Sequence, residues 1–197
     1  MPMQGDLPGF APVQATHNLF FALSPAAATR AAIAAAAEAL RAEDDPRGRW
    51  LKPPRYHLTL QFLGTFEQPP ADLVARAVAA AAQVSLPTFD FTLDVVGSFG
   101  ARSMPVWLGC QEPPPALLQL HDALGAALAR LGCRTHGTSR LVPHVTILRD
   151  AERALRQPLA RPIAWHVDEF VLVDSRPPDP VPTCAAERFS RAASRPS

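Results

Sequence analysis

The chain has 197 residues, 48% hydrophobic and 19% charged, enough apolar material for one sizeable core and too much for a disordered chain. A net charge of +1 excludes the broad basic surface with which proteins coat long nucleic acids. Cys110, Cys133 and Cys184 are odd in number and form no C-x-x-C pair, so neither a disulfide framework nor a zinc site is indicated.

Residues 1–17 are rich in Pro, Gly and Gln without periodicity and are expected to form a loose N-terminal tail that includes His17. Residues 19–23 are an apolar run ended by Ser24-Pro25, the pattern of a buried strand leading into a helix. That helix is expected over residues 26–41, with Ser24 as N-cap, Pro25 at N1 and an alanine-rich interior. Residues 44–54 are broken by Pro46, Gly48, Pro53 and Pro54 and predict a loop. A strand over 56–63, closed by Gly64, and a helix over 71–83 follow. Residues 89–95 alternate apolar and polar, the period of a half-buried strand, and 105–110 predict another.

After three prolines, residues 116–131 place Leu117, Leu120, Leu124 and Leu128 at helical spacings. Strands are expected over 141–148, over 165–173 and near Arg188, with residues 190–197 as a C-terminal tail. The folded unit is therefore expected to be a single domain, residues 18–189, of α+β type. No apolar run approaches the roughly 20 residues that cross a bilayer. No basic residue precedes Arg30, so a secretory leader would lack its positive start, and the expected location is cytoplasmic.

One pattern occurs twice. Tyr56-His57-Leu58-Thr59-Leu60 and Pro143-His144-Val145-Thr146-Ile147 both read His-x-Thr-aliphatic, 87 residues apart, near matching points of two halves. A duplicated lobe with one such strand per half explains this most simply. On a strand, residues i and i+2 share a face, so each His would sit beside its Thr with the aliphatic residues behind. A single His-x-Thr is weak and usually structural; two copies in matching apolar contexts reverse that preference. His17, His121, His136 and His166 sit in no comparable pattern and are assigned structural or solvent roles.

A cleft with two imidazoles and two hydroxyls suits acid–base chemistry on a phosphodiester. One imidazole takes a proton while the other gives one, and the hydroxyls donate to phosphate oxygens. Arg149, next to the second strand, is the candidate to neutralise charge building on phosphorus. There is no H-E-x-x-H, no carboxylate at ligand spacing, no G-x-S-x-G and no Walker loop, so neither metal nor cofactor is expected.

These residues resemble the 2H phosphoesterase superfamily, and within it the RNA 2′,3′-cyclic phosphodiesterase (2′-5′ RNA ligase) family. The resemblance rests on residues 18–25, on WLKPPRYHLTLQFLG (50–64), on residues 97–109 ending in VWLG, on PHVTILR (143–149) and on residues 170–175. It implies a bilobal 2H phosphoesterase fold, with two pseudo-symmetric lobes of antiparallel sheet flanked by helices and the active site in the groove between them. It implies hydrolysis of 2′,3′-cyclic phosphate to 2′-phosphate without metal, with His57 as proton donor, His144 as proton acceptor, and Thr59 and Thr146 holding phosphate. The expected partner is an RNA end or nucleotide carrying that cyclic phosphate, with no membrane and no obligate protein partner, the protein being a monomer.

Family members often carry a tyrosine late in the chain; here Pro182-Thr183-Cys184 occupies that stretch and Tyr56 is the only tyrosine. Phe20, Phe21, Phe62 and Trp107 are aromatics for base stacking, with core packing the commoner fate. Arg102 is a second candidate contact to RNA. Two alternatives stay open: the same chemistry on a small nucleotide, and an RNA-end binder without catalysis. Ligation is the reverse reaction through the same groups.

Overall fold

A computed structural model describes residues 16–85, 87–100, 104–136, 140–176 and 188–190. In chain order the elements are β1 (His17–Leu23), α1 (Ala27–Glu43), β2 (Arg49–Trp50), a 3-10 turn (Pro53–Arg55), β3 (Leu58–Phe66), α2 (Ala71–Ala81), β4 (Phe89–Ser98), β5 (Val106–Gly109), α3 (Pro115–Arg130), β6 (His144–Arg149), β7 (Gln157–Val167), β8 (Glu169–Ser175) and β9 (Arg188–Ser190).

All pairings are antiparallel, in the order β7-β4-β5-β6-β3-β1-β8-β9, with β2 paired to β6 off this path. The order is palindromic about the β6–β3 junction: β3, β1 and β8 on one side match β6, β5 and β4 on the other. Each first crossover helix covers the opposite half. α1, which follows β1, packs on β7; α3, which follows β5, packs on β3 and α2. Ile33, Ala37 and Leu40 of α1 are buried at helical spacing, as are Leu117, Leu120, Leu124 and Leu128 of α3. Gln61 of β3 is buried, and its Nε2 donates to the His121 carbonyl at 2.9 Å, which ties β3 to α3.

Several sequence expectations need correction. His17 is the first residue of β1, its Nδ1 2.9 Å from both carboxylate oxygens of Asp174 on β8. α1 starts at Ala27 with Ala26 as N-cap, not with Ser24 and Pro25; Arg30 instead reaches back to the Ser24 hydroxyl and the Pro25 carbonyl. The loop expected at 44–54 contains β2. The strand expected at 165–173 is two strands, β7 and β8, which separate at Asp168. Pro158 and Pro162 hid the first part of β7, an end strand of the sheet, where the missing N–H groups cost no ladder bond on the outer side. β3 runs two residues past Gly64.

Candidate active site

One ladder pair fixes the geometry of the groove. Leu58 pairs with Val145, and both side chains are fully buried. Residues directly opposite share a face, so both point into the core and their neighbours His57, Thr59, His144 and Thr146 point the other way. Continuing the antiparallel register sets His57 across from Thr146 and Thr59 across from His144. Each histidine thus faces the threonine of the other motif. The two imidazoles lie on a diagonal, with Cα atoms on the order of 7–8 Å apart in a regular ladder.

Two bulges complete the site. Ala22 pairs with Thr59 and Phe21 with Gln61, leaving Leu60 as an extra residue in β3. Trp107 pairs with Thr146 and Val106 with Leu148, leaving Ile147 extra in β6. An extra residue resets the alternation of faces. Under strict alternation Leu148 would share the face of Thr146 and Arg149 would turn into the core. With Ile147 inserted, Leu148 is buried and Arg149 returns to the groove side, where its charge acts on His57. The matching bulge in β3 brings Phe62 up beside Phe20. Phe62 and Arg149 therefore hold equivalent positions, each five residues after its histidine.

Both histidines are anchored alike. His57 Nδ1 lies 2.8 Å from the Arg55 carbonyl and His144 Nδ1 lies 2.7 Å from the Val142 carbonyl, each two residues back. A carbonyl only accepts, so each Nδ1 carries the proton and each Nε2 is the nitrogen left for substrate. Burial holds the His57 imidazole down to about 4, with the charges of Arg149, His144 and Arg55 pushing the same way and the Arg55 carbonyl opposing. Burial also lowers His144, against the pull of the Val142 carbonyl. Among the described residues, neither threonine hydroxyl has a hydrogen-bond partner and no carboxylate pairs with Arg149. Burial and the nearby Arg49 and Arg55 push the Arg149 guanidinium below its usual value.

Aromatic rings wall both imidazoles. Phe20 lies over His57 at 4.9 Å and 30°, and Phe99 meets His144 edge-on at 4.9 Å and 87°. Trp107 sits 6.0 Å from His144. The Trp107 indole rests on Gly97, where a Cβ would come within 2.3 Å of the ring. Of the four aromatics named from sequence, Phe21 is core, while Phe20, Phe62 and Trp107 lie on the groove side. Two residues beside the imidazoles belong to neither motif: Arg55, marked in the sequence only by its place two residues before His57, and Phe99, which lies past the end of β4 where periodicity says nothing. Tyr56 faces the core and donates from its hydroxyl to the Leu51 carbonyl at 3.2 Å, so it does not replace the late tyrosine. Arg102 and residues 182–184 lie outside the described residues. Among the described residues no three His, Cys, Asp or Glu side chains gather as a metal site, and no helix is long and apolar enough to cross a membrane.

Residues 9–178 match the 2′-5′ RNA ligase superfamily. The chain belongs to that superfamily. The RNA 2′,3′-cyclic phosphodiesterase of Escherichia coli (strain K12) is 38% identical over 111 residues, covering 56% of this chain and 60% of that protein. The RNA 2′,3′-cyclic phosphodiesterase of Aquifex aeolicus (strain VF5) is 30% identical over 117 residues, covering 57% and 62%. The alignments thus span about three-fifths of the length of these curated relatives. Over whole folds the likeness is broader: a crystal structure of E. coli LigT complexed with 3′-AMP superposes with a TM-score of 0.73 at 31% identity, covering 89% of this chain and 98% of that one. The fold of this superfamily member is therefore the bilobal 2H phosphoesterase fold expected from its two motifs.

Proposed function

We propose that this protein opens the 2′,3′-cyclic phosphate at an RNA end to a 2′-phosphate by metal-independent acid–base catalysis. The observations that support the proposal are the Leu58–Val145 pair, one residue from each histidine, and the Nδ1 contact of each imidazole to a carbonyl, which leaves Nε2 as the nitrogen each has for substrate. In the forward reaction His144 Nε2 takes a proton from water as the water oxygen bonds to phosphorus. The bond from phosphorus to O3′ breaks, and His57 Nε2 gives its proton to O3′. Thr59 and Thr146 donate to the non-bridging oxygens, and Arg149 offsets their charge.

The depressed His57 imidazole fits this role once a phosphate is present. An anion at about 4 Å stabilises an imidazolium by ~4 kcal/mol at an effective dielectric constant near 20, or ~3 pKa units. That offsets the lowering caused by burial, so substrate itself loads the acid with its proton. With the 5′-hydroxyl of a second RNA in place of water, the same two groups support 2′-5′ ligation: the 5′ oxygen bonds to phosphorus as its proton goes to His144, and O3′ leaves with the proton of His57. Cytoplasmic residence as a monomer belongs to the same proposal; the free thiols of Cys110 and Cys133 suit a reducing compartment. The test is incubation with an RNA ending in a 2′,3′-cyclic phosphate, with products read by phosphorus NMR, with and without excess EDTA. A 2′-phosphate is expected in both. No turnover refutes catalysis and leaves an RNA-end binder; loss with EDTA that only a divalent ion restores refutes the metal-free mechanism.

A further inference from the structure

A cavity of about 550 Å³ lies at the far end of β3, between that strand, the start of α2 and residues 132–136. Its walls include Phe62, Arg76, Arg134 and His136. It is joined to the catalytic groove by a line of rings. Phe20 lies over His57, Phe62 is the ladder partner of Phe20, and His136 meets the Phe62 ring edge-on at 6.4 Å. An isolated bridge holds His136 in place, its N–H donating to the Phe62 carbonyl at 2.7 Å. The ladder between β3 and β6 is the single pair Leu58–Val145, and at Phe62 it is His136 that bridges to β3.

The charges of this cavity do not balance. Arg76 is paired with Asp72 at 2.6 Å, whereas among the described residues no carboxylate pairs with Arg134, which is exposed. The volume is that of a nucleotide-sized cleft. From Thr59 to Phe62 is about 10 Å of strand at ~3.3 Å per residue. Stacked nucleotides rise ~3.4 Å each, so the cavity is in reach of the residues just 5′ of the reacting end.

We infer that this cavity is a subsite for the nucleotides immediately upstream of the cyclic phosphate, with Phe62 and His136 as stacking surfaces and Arg134 as the phosphate contact. The inference rests on the proposed reaction and deepens it. It adds the residues that would hold the RNA upstream of its reacting end. Arg149 serves the reacting phosphate, and Arg134 serves the next one back.

The experiment measures equilibrium binding of a ribotrinucleotide ending in a 2′-phosphate and of a mononucleoside 2′-phosphate, to the wild type, Arg134→Gln and His136→Ala. Neither ligand can be turned over, so binding is read apart from chemistry. The wild type is expected to favour the trinucleotide by about tenfold or more, as one or two charge-assisted contacts would give. Arg134→Gln should remove most of that ratio and flatten the salt dependence of trinucleotide binding, by a slope of about 0.7 for one lost phosphate contact on a single strand. His136→Ala should lower the ratio by a smaller factor. Equal affinities for the two ligands, or an Arg134→Gln variant that weakens both alike, would overturn the subsite. Parallel turnover of the cyclic trinucleotide separates the two proposals. Turnover without a trinucleotide advantage sinks the subsite alone, and an Arg134-dependent advantage without turnover sinks the chemistry alone.

Discussion

Lowering the pH should destabilise this protein through His57 in particular, and the size of the effect follows from its burial. The imidazole titrates near 6.5 in an unfolded chain and at about 4 in the fold. The folded-state value is depressed, so between these limits the unfolded chain binds more protons than the native one, and stability falls as pH falls through the window. The contribution is fully present above about pH 6.5, and the most that can be lost is ~3 kcal/mol at 1.36 kcal/mol per unit. At pH 4.5 most of this, roughly 2 to 3 kcal/mol, is already lost by the same linkage relation. Carboxylates and His144 titrate there too, so the assay is a difference of differences: urea unfolding at pH 7.5 and 4.5 for the wild type and for His57→Gln. The wild type should lose ~2 kcal/mol more than the variant, with unchanged m values. Equal losses, within about 0.5 kcal/mol, would refute the claim that His57 is held neutral by burial.

The same depression acts on catalysis: because burial lowers both imidazoles, kcat/KM, which reports the free enzyme, should be bell-shaped with its optimum on the acid side of the ordinary imidazole value, and an optimum above pH 7 would contradict it. A substrate with sulfur in place of O3′ needs no acid, so it should restore most activity to His57→Ala and little to His144→Ala; rescue of His144→Ala instead would reverse the proposed roles. Arg149→Gln should raise KM for the cyclic phosphate by about tenfold or more with the melting temperature unchanged, as for loss of one charge-assisted contact; unaltered kinetics would make Arg149 a surface charge. Gly97→Ala should displace the Trp107 ring and cut turnover through His144 and Phe99, since its Cβ would sit within 2.3 Å of that ring; wild-type rates with unshifted Trp fluorescence would show that the indole does not support the groove.

What could be read from the sequence was set by periodicity, and what could not was set by interruptions of it. The helix at Leu117, Leu120, Leu124 and Leu128 and the second His-x-Thr strand follow a simple period and lie where expected, whereas the first strand, expected over 56–63, begins at Leu58, one residue after His57, because the 3-10 turn at Pro53–Arg55 leads into it. Arg149 reaches the groove for a reason alternation would have denied. Counting in twos from His144 puts Arg149 on the core side, and only the bulge at Ile147 turns it back. Nothing about Ile147 marks it as a bulge, because its burial is that of an ordinary core residue. The contact between Phe62 and His136 spans a chain reversal that no local pattern encodes. Proline obscured β7 in the opposite sense, suggesting a loop where an end strand tolerates its missing N–H.

The pseudo-symmetry explains why two histidines of identical anchoring need not be interchangeable. Each donates Nδ1–H to the carbonyl two residues back, each faces the other motif's threonine, and each is followed by a bulge at the same step. A site built only from these parts would bind a phosphodiester equally well in either direction. The symmetry breaks at the equivalent pair Phe62 and Arg149, an aromatic ring in one half and a cation in the other. A substrate with one anionic and one flat, apolar end settles in the orientation that matches both, its base toward Phe20 and Phe62 and its phosphate charge toward Arg149. In that orientation the sugar lies on the His57 side, which places the proposed proton donor next to the departing O3′ and leaves the His144 side for water. Exchanging the two residues, Phe62→Arg with Arg149→Phe, should therefore turn a bound 2′,3′-cyclic nucleotide end for end, so that in the exchanged enzyme the substrate with sulfur in place of O3′ restores activity to His144→Ala and not to His57→Ala. If the exchanged enzyme still showed rescue of His57→Ala, orientation would have to come from elsewhere in the groove.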